Sequence, residues 1–224
     1  MTIKKNKHFL WASIAGFLIL LVGGIGYMVI TEPRTETDKF RAIFGSNVNA
    51  VDENGLTLLE KAIAGAGGYW NIEVIKWLVA EGADVNANSG GPLQEAIPRQ
   101  NMELIEFLVS RGADVNIMPQ HGTWTPLHSA VSFENLEIVK LLVSAGANVN
   151  AANVAGYTPL HWTTSLHWTA SGLAPESDKA AVIAEFLVSQ GADVNAKNKD
   201  GKTPLDLANE NGKTATAAFL SSVR

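Results

Sequence analysis

Apolar positions along the chain fall into two regimes. From Phe9 to Ile30 they are almost continuous, with no side chain charged at neutral pH and Ser13 as the one aliphatic hydroxyl. As a helix rising about 1.5 Å per residue, residues 9–30 would cross the ~30 Å hydrocarbon layer of a bilayer. From Phe40 onward the apolar residues instead come in short helix-spaced clusters, such as Ile138, Val139, Leu141 and Leu142. Each cluster ends in one recurring stretch, Gly-Ala-Asp-Val-Asn, at 82–86, 112–116 and 191–195, with the variant Gly-Ala-Asn-Val-Asn at 146–150. A glycine at that point reaches the left-handed conformation that stops a helix.

A second signal opens the next helix. It reads Thr125-Pro126-Leu127-His128, Thr158-Pro159-Leu160-His161 and Thr203-Pro204-Leu205-Asp206. Threonine suits the N-cap and proline the first helical position. One unit is therefore a helix, a turn, a second helix, a glycine stop and a loop. Neither helix alone covers its apolar face, so the units must stack.

Register follows from the leucines of the opening signal. Leu59, Leu93, Leu127, Leu160 and Leu205 lie 34, 34, 33 and 45 residues apart. A period near 33 with Thr-Pro-Leu-His-x-Ala is an ankyrin signature, and Thr125 to Ala130 matches every fixed position of it. From about Asp38 to the C-terminus the chain thus resembles an ankyrin-repeat array. The expected fold is all-α: an ankyrin-repeat solenoid of helix-turn-helix units with short hairpin loops, preceded by one transmembrane helix. The expected organisation is an N-terminal tail at 1–8, a transmembrane signal anchor at 9–30, a tether at 31–38 and a repeat domain at 39–224. Within that domain fall an N-cap half repeat at 39–50, repeats at 51–88, 89–119, 120–153 and 154–197, and a C-cap at 198–224. Some opening signals depart from the motif: Thr57-Leu58-Leu59-Glu60, Gly91-Pro92-Leu93-Gln94, and Thr163 in place of alanine. Looser packing of the first helix is expected in those units.

Departures from the period mark individuality. Gly65 to Gly68, with Tyr69 and Trp70, form a glycine-rich joint between the paired helices of the first repeat. The fourth repeat carries an insertion at about 167–178 in the turn between its helices, and insertions in a repeat array map to loops on one face. Pro98 is expected to end or kink a helix, and the Asn88 to Gly91 connection to leave a stunted finger.

Charge and composition narrow the partners. The net charge is −5, and because Lys4, Lys5 and Lys7 precede the first acidic residue, the repeat domain is more acidic still. That balance argues against nucleic acid, which needs clustered Lys and Arg. With no cysteine, disulfides, thiolate metal sites and cysteine nucleophiles are all excluded. The three lysines before the apolar run, with Trp11 and Tyr27 as interface aromatics, put the N-terminus in the cytoplasm. The repeats then face the periplasm, as in a bacterial inner-membrane protein. A cleaved signal peptide remains the alternative to an uncleaved anchor.

No constellation calls for an enzyme or a cofactor. His128 and His161 belong to the repeat motif, where the resemblance implies a structural hydrogen bond. His121 and His167 have no ligand spacing for a metal. No nucleophile elbow or phosphate loop is present, and Asp84, Asp114 and Asp193 recur one repeat apart, as loop formers would. What remains is recognition of another protein by the finger tips and concave face, as the resemblance implies. The candidate residues are Glu53, Leu56, Arg99, His121, Trp124, Phe133, Tyr157, Leu166, Trp168, Lys199 and Lys202. A membrane-tethered scaffold or adaptor is one expected role, and an inhibitor or immunity-like protein blocking an envelope enzyme or toxin is the other.

Overall fold

A computed structural model describes residues 10–14, 17–22, 25–29, 47–65, 72–118, 124–164, 168–169, 172–173 and 178–224. They fall in two compact units, Met1–Ala87 and Asn88–Arg224.

The first unit opens with a correction. Where one membrane-crossing helix is expected over 9–30, the backbone forms three antiparallel strands, β1 (Leu10–Ile14), β2 (Phe17–Val22) and β3 (Ile25–Val29), in the order β1-β2-β3. Leu10 pairs with Leu21 and Leu18 with Val29. The sequence between strands is Ala15-Gly16 and Gly23-Gly24. Glycine costs about 1 kcal/mol inside a helix, while Trp, Ile, Phe, Val and Tyr favour strands. Among the described residues no helix is long and apolar enough to cross a membrane.

The rest of this unit is a helix pair, α1 (Leu58–Ala64) and α2 (Ile72–Ala80). Thr57 opens α1 with a capping box: its hydroxyl accepts from the Glu60 N–H, and the Glu60 carboxylate accepts from the Thr57 N–H at 2.8 Å. Leu59 and Ile63 are buried with Ile75 and Leu78 across the pair. Gly65 (φ +66°) ends α1 as expected, while residues 66–71 of the glycine joint lie outside the described residues. So do residues 39–46 of the N-cap.

The second unit continues the pattern with α3 (Ala87–Ala96), a 3-10 turn (Ile97–Arg99) and α4 (Met102–Ser110). Then come α5 (Pro126–Ser132), α6 (Leu136–Ser144), α7 (Pro159–Trp162), α8 (Asp178–Ser189), α9 (Pro204–Glu210) and α10 (Thr214–Ser222). Within it α5 packs on α6 and α9 on α10, while α5, α7 and α9 stack in one row and α4, α6 and α8 in another. Leu93, Leu127 and Leu160 are wholly buried, and so are Leu104, Ile138 and Ile183 on the second helices.

Several local expectations change. Pro98 does end the α-helix, which passes into the 3-10 turn. The Asn88 to Gly91 connection, however, is helical and carries Pro92 inside α3, so a turn of helix replaces the stunted finger. Looser first helices do not materialise: Leu59, Leu93 and Leu160 are all buried. What Thr163 does is shorten α7. Its hydroxyl donates to the Leu160 carbonyl at 2.8 Å and that of Thr164 to the His161 carbonyl at 2.6 Å, both with buried side chains. The chain leaves the stack there, and the insertion contributes two short paired strands, β4 (Trp168–Thr169) and β5 (Gly172–Leu173). The Asn211 amide holds the Thr164 carbonyl at 2.8 Å, so the root of the insertion is fixed.

The recurring Gly-Ala-Asp-Val-Asn stretch acts as a helix stop and a link. Asp84, Asp114 and Asp193 each accept from the N–H two residues on, at 2.8 Å. The terminal asparagine reaches the next copy. Asn116 donates to the Gly146 carbonyl and accepts from the Asn148 N–H, and Asn150 does the same with Gly191 and Asp193. Asn49 links likewise to Gly82 and Asp84 in the first unit.

One finger glycine has a second constraint. Gly156 lies at φ +80°, and a Cβ there would come within 3.0 Å of the Asn198 and Lys199 backbone, whereas Gly201 at φ +75° faces open space. Gly201→Ala is expected to cost only the left-handed conformation, ~1–2 kcal/mol. Gly156→Ala should cost clearly more, because backbone cannot move aside. Urea unfolding of the two variants checks the order.

Candidate protein-binding surface

Three finger tips of the second unit are fixed by one repeated contact. The residue before each opening threonine offers its carbonyl to the repeat before it. Gln94 Nε2 donates to the Trp124 carbonyl (2.6 Å), His128 Nε2 to that of Tyr157 (3.0 Å) and His161 Nε2 to that of Lys202 (3.2 Å). Because a carbonyl only accepts, each ring carries its proton on Nε2. Nδ1 is then free to accept from its own N-cap threonine. It takes the Thr125 N–H at 3.2 Å and hydroxyl at 2.8 Å, and those of Thr158 at 3.1 and 2.9 Å. One buried imidazole thus closes a helix start and holds the next finger.

Side-chain amides shape the loops themselves. Asn153 Oδ1 accepts from the Ala155 and Tyr157 N–H groups, and Asn198 Oδ1 from those of Asp200 and Lys202. The last two fingers are joined by the Lys199 N–H donating to the Ala155 carbonyl at 3.0 Å. Trp124, Tyr157 and Lys202 therefore stand at equivalent places in successive repeats, on backbone that neighbouring repeats hold.

Trp162 completes this surface. It follows His161 in α7, at the position of Ser129 in α5 and Leu207 in α9. Its ring meets Trp124 edge-on with centroids 4.5 Å apart and Tyr157 at 6.1 Å, and all three are half-buried. Edge-to-face aromatic packing at such separations is favourable and orients the rings. Trp162 is not among the candidates read from sequence. The signal was available in the register, since a tryptophan replaces serine or leucine at an inner-face position.

The other candidates are more dispersed. Phe133, 41% exposed, is the C-cap of α5, so about 12 Å of helix separates it from Trp124 at the opposite end. It lines a shallow groove of about 410 Å³ with Gln100, Leu136, Lys179 and Val182 instead of joining the aromatic tips. Arg99, in the 3-10 turn, bonds back to the Glu95 carbonyl and sits 3.3 Å from its carboxylate. Lys199 is exposed at its finger tip, and Lys202 pairs with Glu210 at 2.6 Å. That partner raises the Lys202 pKa. Glu53 and Leu56 are exposed on the finger of the first unit. Asp52 holds that finger by accepting from the Asn54 and Leu56 N–H groups and pairing with Lys61. Lys61 foremost brings the Asp52 carboxyl down to about 2. His121 and Leu166 lie outside the described residues, as do the side chain of Trp168 and the insertion's His167.

Residues 93–143 match the family model described as ankyrin repeats (many copies), and residues 155–199 match that of the ankyrin repeat. Over those two segments the chain is similar to ankyrin repeats. No curated protein matches it. The aromatic row and the histidine links all lie within or beside the matched ankyrin segments. Ankyrin repeats are generally protein–protein interaction modules and typically non-catalytic.

Burial lowers the pKa of His128 and of His161, against the opposing pull of the carbonyl each one bonds. The fold thus prefers neutral rings. Stability from these links is complete above the unfolded histidine pKa of about 6.5 and is lost as pH falls below it, because protonating Nδ1 turns an acceptor into a donor facing another donor. Asp52, with its depressed pKa, contributes stability above about 4 that is lost toward about 2. Acid unfolding should therefore begin with the histidines. Gln94 already performs the carbonyl link without a titrating group, so His128→Gln is expected to unfold near the wild-type urea midpoint at pH 7.5 and to lose less stability by pH 5.

Proposed function

We propose that this chain is a membrane-tethered, non-catalytic binding protein that recognises a partner protein through the finger tips and inner helix row of residues 88–224. The observation that carries the reading is the Trp124–Tyr157–Trp162 cluster. Large aromatic rings half-exposed on fixed backbone are typical of the few residues that supply most of the binding energy in an interface. Because the Gln94, His128 and His161 links set the fingers before any partner arrives, little ordering entropy is lost on association. Phe133, Arg99, His121, Leu166, Trp168, Lys199 and Lys202 are the further candidates in that unit, and Glu53 and Leu56 are candidates on the finger of the first unit.

The tethering half of the reading rests on the composition of residues 9–30, which have no charged side chain at neutral pH and follow Lys4, Lys5 and Lys7, and not on a membrane-crossing helix, which the described residues lack. A periplasmic setting in a bacterial inner membrane follows from that lysine placement. A scaffold role and an inhibitory one share the same surface. They part on whether the captured partner is an enzyme that loses activity when bound.

Crosslinked capture from membranes tests the whole reading. The full chain is expected to sediment with membranes and to recover a specific partner. A chain starting at residue 31 should stay in the supernatant. Trp124→Ala with Trp162→Ala should lose the partner while keeping the far-ultraviolet dichroism of the wild type. Equal recovery by that folded double variant would remove the aromatic surface, and a soluble full chain would remove the tether.

A further inference from the structure

The two edges of the repeat stack are held by different chemistry. At the loop edge Asn116 and Asn150 join successive repeats through side-chain amides, which do not titrate. At the finger edge the carbonyls of Tyr157 and Lys202 are held by His128 and His161. Both nitrogens of each ring are committed, Nε2 to the finger carbonyl and Nδ1 to the N–H and hydroxyl of the opening threonine. A second ring proton finds no place in this arrangement. It makes Nδ1 a donor facing the Thr125 or Thr158 N–H, so the ring has to leave and its hold on the finger is lost.

The charges around the rings supply no counter-ion for such a proton. His128 is faced by His161 in α7, so a proton on one ring opposes a proton on the other. Among the elements packed on α5, the 3-10 turn brings Arg99 tied to Glu95, and α6 brings Glu137 and Lys140 tied to each other. On α7 pack α8, with Asp178, Lys179 and Glu185, and α9, with Asp206 and Glu210. In the last finger and α9 together, Lys197, Lys199 and Lys202 are matched one for one by Asp200, Asp206 and Glu210, so no net charge draws a proton to His161. Among the described residues no carboxylate bonds either ring, and burial holds both below the ordinary histidine value.

Resting on the binding role argued above, we propose that the finger surface is gated by protons: mild acid frees the Tyr157 and Lys202 fingers and releases the partner while the helix stack still stands. The first step is local. Leu127, Leu160 and Ile138 stay buried, and the asparagine links are indifferent to pH. Gln94 keeps the Trp124 finger in place, so the surface loses one end and not its whole length. The Tyr157 ring lies 5.6 Å from that of His161 and 6.1 Å from that of Trp162, so freeing its finger also breaks up the aromatic cluster. Release falls below about pH 6.5, the value of an ordinary imidazole, since buried rings take their proton later than that. The coupling is reciprocal: a bound partner opposes protonation of the rings as strongly as the protons oppose the partner.

Two measurements on the full chain test the gate. In the free protein, near-ultraviolet dichroism reports the packing of Trp124, Tyr157 and Trp162, and far-ultraviolet dichroism reports the helices. On titration from pH 7.5 to 5 the near-ultraviolet signal is expected to fall first; simultaneous loss of both signals overturns the proposal, because the stack then fails as a whole. For release, the chain on beads is loaded with solubilised membrane extract at pH 7.5, washed at pH 7.5 or at pH 5, and the retained proteins are quantified by mass spectrometry. Retention by the wild type should fall on the order of ten-fold in the acid wash, and retention by His128→Gln with His161→Gln by less than about two-fold. Each variant is read as the ratio of its two washes, so a change in affinity common to both drops out. Far-ultraviolet dichroism checks its folding, and His128→Gln alone, with an intermediate ratio expected, serves if the double variant does not fold. Equal acid loss from the wild type and a folded variant overturns the proposal, as does full retention by the wild type at pH 5, and both leave the binding role standing. A chain that retains nothing at pH 7.5 removes the binding role itself and the gate with it.

Discussion

The second unit depends on one donor placed at the same point of each repeat. A side chain at one repeat position, Gln94 near the end of α3, His128 in α5 or His161 in α7, reaches across to the carbonyl before the next opening threonine. Burial makes the bond count. The imidazole rings lie out of water, where an unmatched polar group costs about 1–3 kcal/mol, so losing one carbonyl partner penalises both repeats. The asparagine links repeat the logic at the other edge, with Asn116 and Asn150 each both donating and accepting. Hydrophobic stacking holds the helices together, while these bonds fix how far one repeat is displaced from the next.

The proposed binding row is a by-product of that register. Trp124, Tyr157 and Lys202 form a row because the ladder bonds the backbone carbonyl of those residues and leaves their side chains to vary. The backbone that builds the stack and the side chain that faces away from it are thus separated atom by atom. The insertion in repeat four obeys the same separation. Thr163, Thr164 and Asn211 secure its root by side chain to carbonyl bonds, and the helix pair continues at α8.

Much of this was legible in the residues. The opening Thr-Pro-Leu-His signal placed the helix starts, and Gly-Ala-Asp-Val-Asn placed the stops, because caps and left-handed glycines are local chemistry. The aspartates proved to be loop formers for the same reason. Trp124 and Tyr157 were found from register alone. Trp162 was missed because it sits inside a motif, where a side chain reads as packing until its neighbours in space are known. Phe133 stands apart from the aromatic tips, at the far end of α5, and sequence shows only that it follows a helix, not at which end of the repeat its ring emerges. The N-terminal run illustrates the opposite weighting. Its length and lack of charge spoke for a helix, yet strand-favouring residues such as Trp11, Ile19 and Val29 stand in β1, β2 and β3.

The ladder is not uniform along its length, and that gives the stack a direction. In a repeat array each interface stands or falls with its nearest neighbours, so the order of opening follows the weakest junction. The Gln94 junction has no titrating group, while the two after it depend on a neutral imidazole. Mild acid would therefore unzip the array from its C-terminal half and leave the Gln94 junction for last. The aromatic row spans both kinds of junction, and its Lys202 end would be the first part to come loose.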